Sequence, residues 1–289
     1  MKEGARNYES DIVDKLFAYE KQGKGKVREL CTVDVAGQRL PFVAFETGQD
    51  VVVTARHHIN EFWGTTEAVM KLAETGQEGL TLVPVVDIDY YEGSEERKKV
   101  FLNAQDGWGS AFMYDMYRGY KGGPQSHAKN QWGDYKYDKD TSPTHITAIK
   151  RLIDSSELYV DIHNSVVQEF FFLTVIPNNS NAAVLFQGLA SQVEAAGQKA
   201  SERLPGQGYK KPLYPGVFQF DGRGTAINYA ADRGKLNLGI EIPVFDPNSY
   251  TPGRWHELTK IGEMADITAN AISTLRRNTS FQTSSRPAT

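Results

Sequence analysis

The sequence predicts an α/β fold: a single domain on a central, mostly parallel or mixed β-sheet with helices on both faces. Two observations carry this. Short apolar, β-branched runs such as Val51-Val52-Val53 and Leu158-Tyr159-Val160 alternate with segments whose apolar residues recur at helical spacing. The chain is also long enough, at 289 residues with 40% hydrophobic and 24% charged, to bury one large core.

Taken in order, Tyr8, Ile12, Val13, Leu16, Phe17 and Tyr19 predict a helix over 8–20, ended by the Gly-Lys run at 23–26. A hairpin comes next, with 27–35 and 40–46 flanking Ala36-Gly37-Gln38-Arg39. The pattern continues as strand 51–54, helix 61–75, strand 80–86, helix 143–155, strands 157–163 and 168–176, helix 180–203, strand 236–243 and helix 254–276. Residues 1–277 therefore read as one domain. The Ser/Thr-rich stretch 278–289, with few apolar groups, reads as a disordered tail. No internal repeat is visible.

Composition narrows the function. A net charge of −4 with scattered Lys and Arg gives no basic footprint for nucleic acid. No apolar stretch reaches the roughly 18 residues that span a bilayer, and Met1-Lys2-Glu3-Gly4 opens a polar segment rather than a secretory signal. The lone Cys31 cannot form an internal disulfide, so the expected setting is a reducing one, the cytoplasm.

Chemistry concentrates at three places. Arg56-His57-His58-Ile59-Asn60-Glu61-Phe62-Trp63-Gly64 follows an apolar run, so a strand ends there and a helix-like segment begins. His58 and Glu61, at i and i+3, point the same way on a first helical turn and supply two of the three protein ligands of a hydrolytic zinc site. The alternating segment from Leu158 to Asn164 delivers His163, two residues after Asp161. Finally, Glu241 interrupts the apolar strand Leu236 to Phe245, where a carboxylate is costly to bury unless paired or functional.

The order and spacing of His58-x-x-Glu61, Asp161-x-His163 and Glu241 resemble the zinc carboxypeptidase (metallocarboxypeptidase) family, over roughly residues 40–275. The resemblance implies one Zn2+ per chain on His58, Glu61 and His163, with Glu241 as general base and acid. It also implies release of a C-terminal amino acid from a peptide by a zinc-activated water. Asp161 is expected to hold a ligating imidazole from behind, since such rings donate their other N–H to a carboxylate or carbonyl.

Arg97, in Glu96-Arg97-Lys98-Lys99, falls where the family stabilises the oxyanion. The family's Asp-x-Asn-Arg clamp for a terminal carboxylate has its nearest match in Asp115-Met116-Tyr117-Arg118: the guanidinium is kept and Tyr117 replaces the Asn. Within Phe218 to Tyr229, Phe220 stands where members carry a mobile Tyr, a role open to Tyr214 or Tyr229. Ile227 takes the pocket-base position and favours an apolar side chain, whereas Arg223 would favour an acidic one. Gly222-x-Gly224 is a turn rather than a phosphate loop.

His57 reads as a supporting or surface group, because neighbouring side chains at a strand end face apart. His127, His145 and His256 read as ordinary. The Gly- and aromatic-rich stretch 108–137 is either a loop over the substrate or a surface loop pinned by its own rings.

The expected activity is that of a zinc metallocarboxypeptidase-like hydrolase acting on a peptide. Two alternatives stand beside it: an N-acyl-amino-acid deacylase (aspartoacylase-like) or cell-wall peptide amidase on the same fold, and a non-catalytic binding module. The oligomeric state is not encoded in these motifs.

Overall fold

A computed structural model of the chain describes residues 7–35, 37–57, 64–88, 91, 144–165, 169–175, 186, 188–202, 212–220, 226–243 and 261–284. Eight strands form one mixed sheet: β1 (Lys26–Val35), β2 (Gln38–Glu46), β3 (Val51–Ala55), β4 (Leu80–Val83), β5 (Leu158–Ser165), β6 (Phe171–Thr174), β7 (Val217–Gln219) and β8 (Leu236–Pro243), in the order β1-β2-β4-β3-β5-β8-β6-β7. The central strands β4, β3, β5 and β8 are parallel, while β1-β2, β2-β4 and β6-β8 pair antiparallel. The expected α/β architecture is present.

A short π-helical stretch (Glu9–Val13) runs into α1 (Asp14–Lys21). Asn7 starts it: its Oδ1 accepts the Ser10 backbone N–H at 2.9 Å, and its own N–H donates to Asp11 Oδ2 at 3.0 Å. The other helices among the described residues are α2 (Thr65–Thr75), α3 (Thr144–Ser155), α4 (Leu189–Ala195), α5 (Ala226–Asp232) and α6 (Ile261–Ser284).

Register assigns the two faces of the sheet. Residues opposite one another in a ladder share a face and successive residues alternate. Val51, Val53, Ala55, Val160, Ile162, Leu238, Ile240 and Ile242 thus share one face, all 0% exposed. Helices α2 and α6 pack against each other over it. The opposite face carries Thr54, Tyr159, Asp161, His163, Asn237, Gly239 and Glu241. Helix α5 covers part of it, since a Cβ at Gly239 would lie 3.9 Å from Ile227 Cδ1. Helix α3 lies on the same side, its His145 ring edge-on to Phe42 at 5.6 Å.

Several boundaries differ from expectation, each for a local reason. The β1-β2 connection is shorter than 36–39, because Gln38 pairs with Val35 and Arg39 with Asp34. Gly37, at φ +84°, supplies the left-handed conformation a two-residue turn needs. Strand β4 stops at Val83 rather than 86, since Pro84 has no N–H for the ladder. Helix α2 begins at Thr65, because Gly64 is left-handed (φ 81°) and a helix from 61 cannot run through it.

Helix 180–203 is too long: α4 ends at Ala195, and Gly197 turns left-handed at φ 79°. Ala200 beyond it makes an isolated bridge with Phe170. Helix α6 continues to Ser284, into the segment expected to be a disordered tail, where no Gly or Pro interrupts it before Pro287. Strand β7 and helix α5 have no counterpart in the expected pattern.

Candidate active site at the ends of β3 and β5

From β3 the chain crosses through α2 to β4 on one side, and β5 lies on the other. The carboxyl ends of β3 and β5 therefore flank a topological switch point, the place where open α/β sheets gather ligands.

Beyond Ala55 the backbone departs from the strand. Arg56 adopts φ 61°, the only left-handed non-glycine among the described residues, a conformation that costs such a residue roughly 1–2 kcal/mol. Two bonds hold it: Ala55 O accepts Val86 N–H at 2.9 Å, and Arg56 O accepts Asp87 N–H at 3.0 Å. The kink cancels the alternation. His57, which a straight strand would turn away, comes back to the face of Thr54, with Nε2 2.9 Å from Thr54 Oγ1.

Asp161 is the hub of the polar network on this face. Its Oδ1 lies 2.7 Å from His57 Nε2 and its Oδ2 2.9 Å from His163 Nε2. Thr54 Oγ1 donates to Oδ1 at 3.2 Å and is itself 2.6 Å from Tyr159 Oη. One proton assignment satisfies the set: Tyr159 donates to Thr54, and Thr54, His57 and His163 all donate to an ionised Asp161. Burial alone would raise the Asp161 pKa. The two imidazoles and their hydrogen bonds outweigh it, holding the carboxyl well below the usual carboxylate range.

The two rings sit 5.3 Å apart, centroid to centroid. Their exposure separates them: the His57 side chain is 3% exposed and that of His163 17%. His163 is the open end of the network.

On the neighbouring strand, Glu241 is the register partner of His163, across a spacing of about 4.8 Å. It is half-buried between the buried Ile240 and Ile242. On its other side Phe171, 5% exposed, is its partner on β6. One row back, Asp161 faces Gly239, whose missing side chain leaves room filled by Leu173 and Ile227.

Among the other expected site residues, Ile227 is 4% exposed on α5. Tyr229 is committed elsewhere: its hydroxyl donates to Asp154 at 3.1 Å to each carboxylate oxygen, so it is not a ring waiting to swing over a substrate. Phe220 packs partly buried against the core. His58, Glu61, Arg97, Tyr117, Arg118, Arg223, His127, His256 and the stretch 108–137 lie outside the described residues. Among the described residues no group of three or more His, Cys, Asp or Glu is arranged to hold a metal.

The donor chemistry fits a zinc ion nevertheless. A buried carboxylate that takes the Nε2–H of His163 leaves the ring's lone pair on Nδ1, the arrangement found behind metal-ligating imidazoles. Sequence reasoning read His57 as a supporting or surface group without naming Asp161 as its partner, and it missed Thr54 and Tyr159. A signal for the last was available: 159, 161 and 163 are the polar members of a strict alternation in β5.

No family model and no curated protein matches the chain. Solved structures do. A metallo-carboxypeptidase from Burkholderia cenocepacia superposes with TM-score 0.59 at 14% identity, covering 95% of this chain and 70% of that one. Carboxypeptidase A from Helicoverpa armigera gives 0.62 at 15%, covering 96% and 74%. A Pseudomonas aeruginosa metallo-carboxypeptidase, in complex with (2-guanidinoethylmercapto)succinic acid, gives 0.53 at 14%, covering 92% and 67%. This chain is thus similar to metallo-carboxypeptidases in fold.

Proposed function

We propose that the protein is a zinc-dependent amide hydrolase that releases a C-terminal amino acid from a peptide. What supports this most is the pairing of His163 with Glu241 in register on adjacent strands of one face, with Asp161 behind the imidazole. In this reading His163, His58 and Glu61 hold one zinc ion. Bound there, a zinc ion would supply Lewis acidity, making water available as a nucleophile near neutral pH and polarising a scissile carbonyl.

The chain's own residues do the rest. Glu241, one strand away from His163, takes a proton from the attacking water and passes it to the leaving amine nitrogen. Phe171, its register partner on β6, bounds the Glu241 side of the site with an apolar ring. Arg97 stabilises the developing oxyanion, and Arg118 with Tyr117 receives the terminal carboxylate. Ile227 and Arg223 shape the side-chain pocket.

Metal analysis of the purified protein should find one zinc per chain. Activity on a peptide library should vanish with 1,10-phenanthroline and return with zinc, and mass spectrometry should show products shortened by one C-terminal residue. A zinc-loaded protein that spares peptides and cleaves N-acyl amino acids would replace the exopeptidase with a deacylase. Silence toward every amide and ester would leave a binding module.

A further inference from the structure

We propose that His57 is a positioning residue for His163, acting through Asp161. A carboxylate shared by two donors is fixed in two dimensions. His57 Nε2–H (2.7 Å) and Thr54 Oγ–H (3.2 Å) engage Oδ1, so only Oδ2 is left to receive His163 Nε2–H, at 2.9 Å. This sets both the plane of the Asp161 carboxylate and the tautomer of His163.

Without the donor on Oδ1, the carboxylate could rotate, or Oδ1 could compete for His163, and the imidazole would lose its fixed presentation of Nδ1. The geometry is a built one. His57 and Asp161 are both nearly inaccessible to solvent, and Arg56 is held in a left-handed conformation that turns the His57 ring onto this face. Backbone strain retained at such a point is explained by what it orients. The further row, Tyr159 to Thr54, orders the hydroxyl that shares Oδ1.

The role toward a metal rests on the function proposed above; the control of the His163 tautomer does not. The test therefore starts from metal-free protein with 15N-labelled histidine, the His163 signals being assigned by their loss in His163→Asn. Wild type should show His163 protonated on Nε2 alone. His57→Leu should give a mixture of tautomers, and His57→Gln, whose amide can place an N–H near the same point, should restore the single form. In parallel, the zinc Kd measured against a competing chelator should weaken about 10- to 100-fold in His57→Leu and recover in His57→Gln.

A folded His57→Leu protein with the wild-type His163 tautomer would overturn the proposal. If that variant does not fold, His57→Asn, too short to reach Asp161, is read in the same way. Wild-type protein that binds no zinc, with the tautomer mixture still appearing in His57→Leu, would sink the metal reading and leave the positioning role standing.

Discussion

The two faces of the central sheet are built from the same strands and do different work. On the side of α2 and α6, β3, β5 and β8 present aliphatic side chains, with Asn164 near the end of β5 the one polar exception, and burial fixes the register there. On the side of α5 the same strands present Thr54, Tyr159, Asp161, His163, Asn237 and Glu241. Buried polar groups are tolerated only when each finds partners, and here they do: Asn237 bonds with Val175 and Thr174, and Asp161 collects three donors. One face secures the fold, which allows the other to hold a costly polar set in place.

The sharpest way to separate the faces is Glu241→Gln. It keeps size and hydrogen-bonding capacity but cannot accept a proton, so kcat should fall by about 10²–10⁴-fold. Zinc content and thermal midpoint should stay at wild-type values. Steady-state kinetics with metal analysis check this, and loss of zinc along with activity would move Glu241 from proton transfer to a structural role.

How far this division is legible in the sequence depends on particular residues. Asp161, His163 and Glu241 stand out because a strand's period of two puts them on one face, and because ionisable groups in apolar strands require a reason. His57 does not, since alternation turns it away and only the left-handed Arg56 brings it back. A non-glycine at positive φ leaves no mark in composition. Gly64 and Gly197 do leave such marks, yet helical patterning outweighs them in placing the ends of helices 61–75 and 180–203. Strand β7 and helix α5, at 3 and 7 residues, are too short for periodicity to register. The expected ligands His58 and Glu61 rest on spacing alone.

The aliphatic face should respond in the opposite sense. Leu238, 0% exposed, lies on the strand that carries Glu241 but points the other way. Leu238→Ala should cost about 2–5 kcal/mol through lost burial and the cavity left behind. Urea denaturation measures that loss, while kcat of the folded fraction should remain within about twofold of wild type, well under the tenfold that ~1.4 kcal/mol of barrier would represent. A fall in kcat as large as that of Glu241→Gln would mean that the faces are coupled through the strand backbone.

The smallest effect belongs to the roof over the polar face, where Tyr229 of α5 donates to Asp154 of α3. Burial first, and then the charge of Asp154, push the Tyr229 phenol from 10.0 up to about 12, against a weaker opposing influence from Arg233. The folded state therefore holds this proton more tightly than the unfolded chain. Its contribution is fully present below about pH 10 and is lost as pH rises toward 12. Because Asp154 is 43% exposed, solvent screening limits the contribution to about 1 kcal/mol or less. Urea midpoints at about pH 9 and about pH 11 should fall farther apart in wild type than in Tyr229→Phe, which has no phenol to titrate. Activity at neutral pH should not change in the variant, because this hydroxyl is bound to a helix and not to the site; a drop in kcat would return Tyr229 to the substrate.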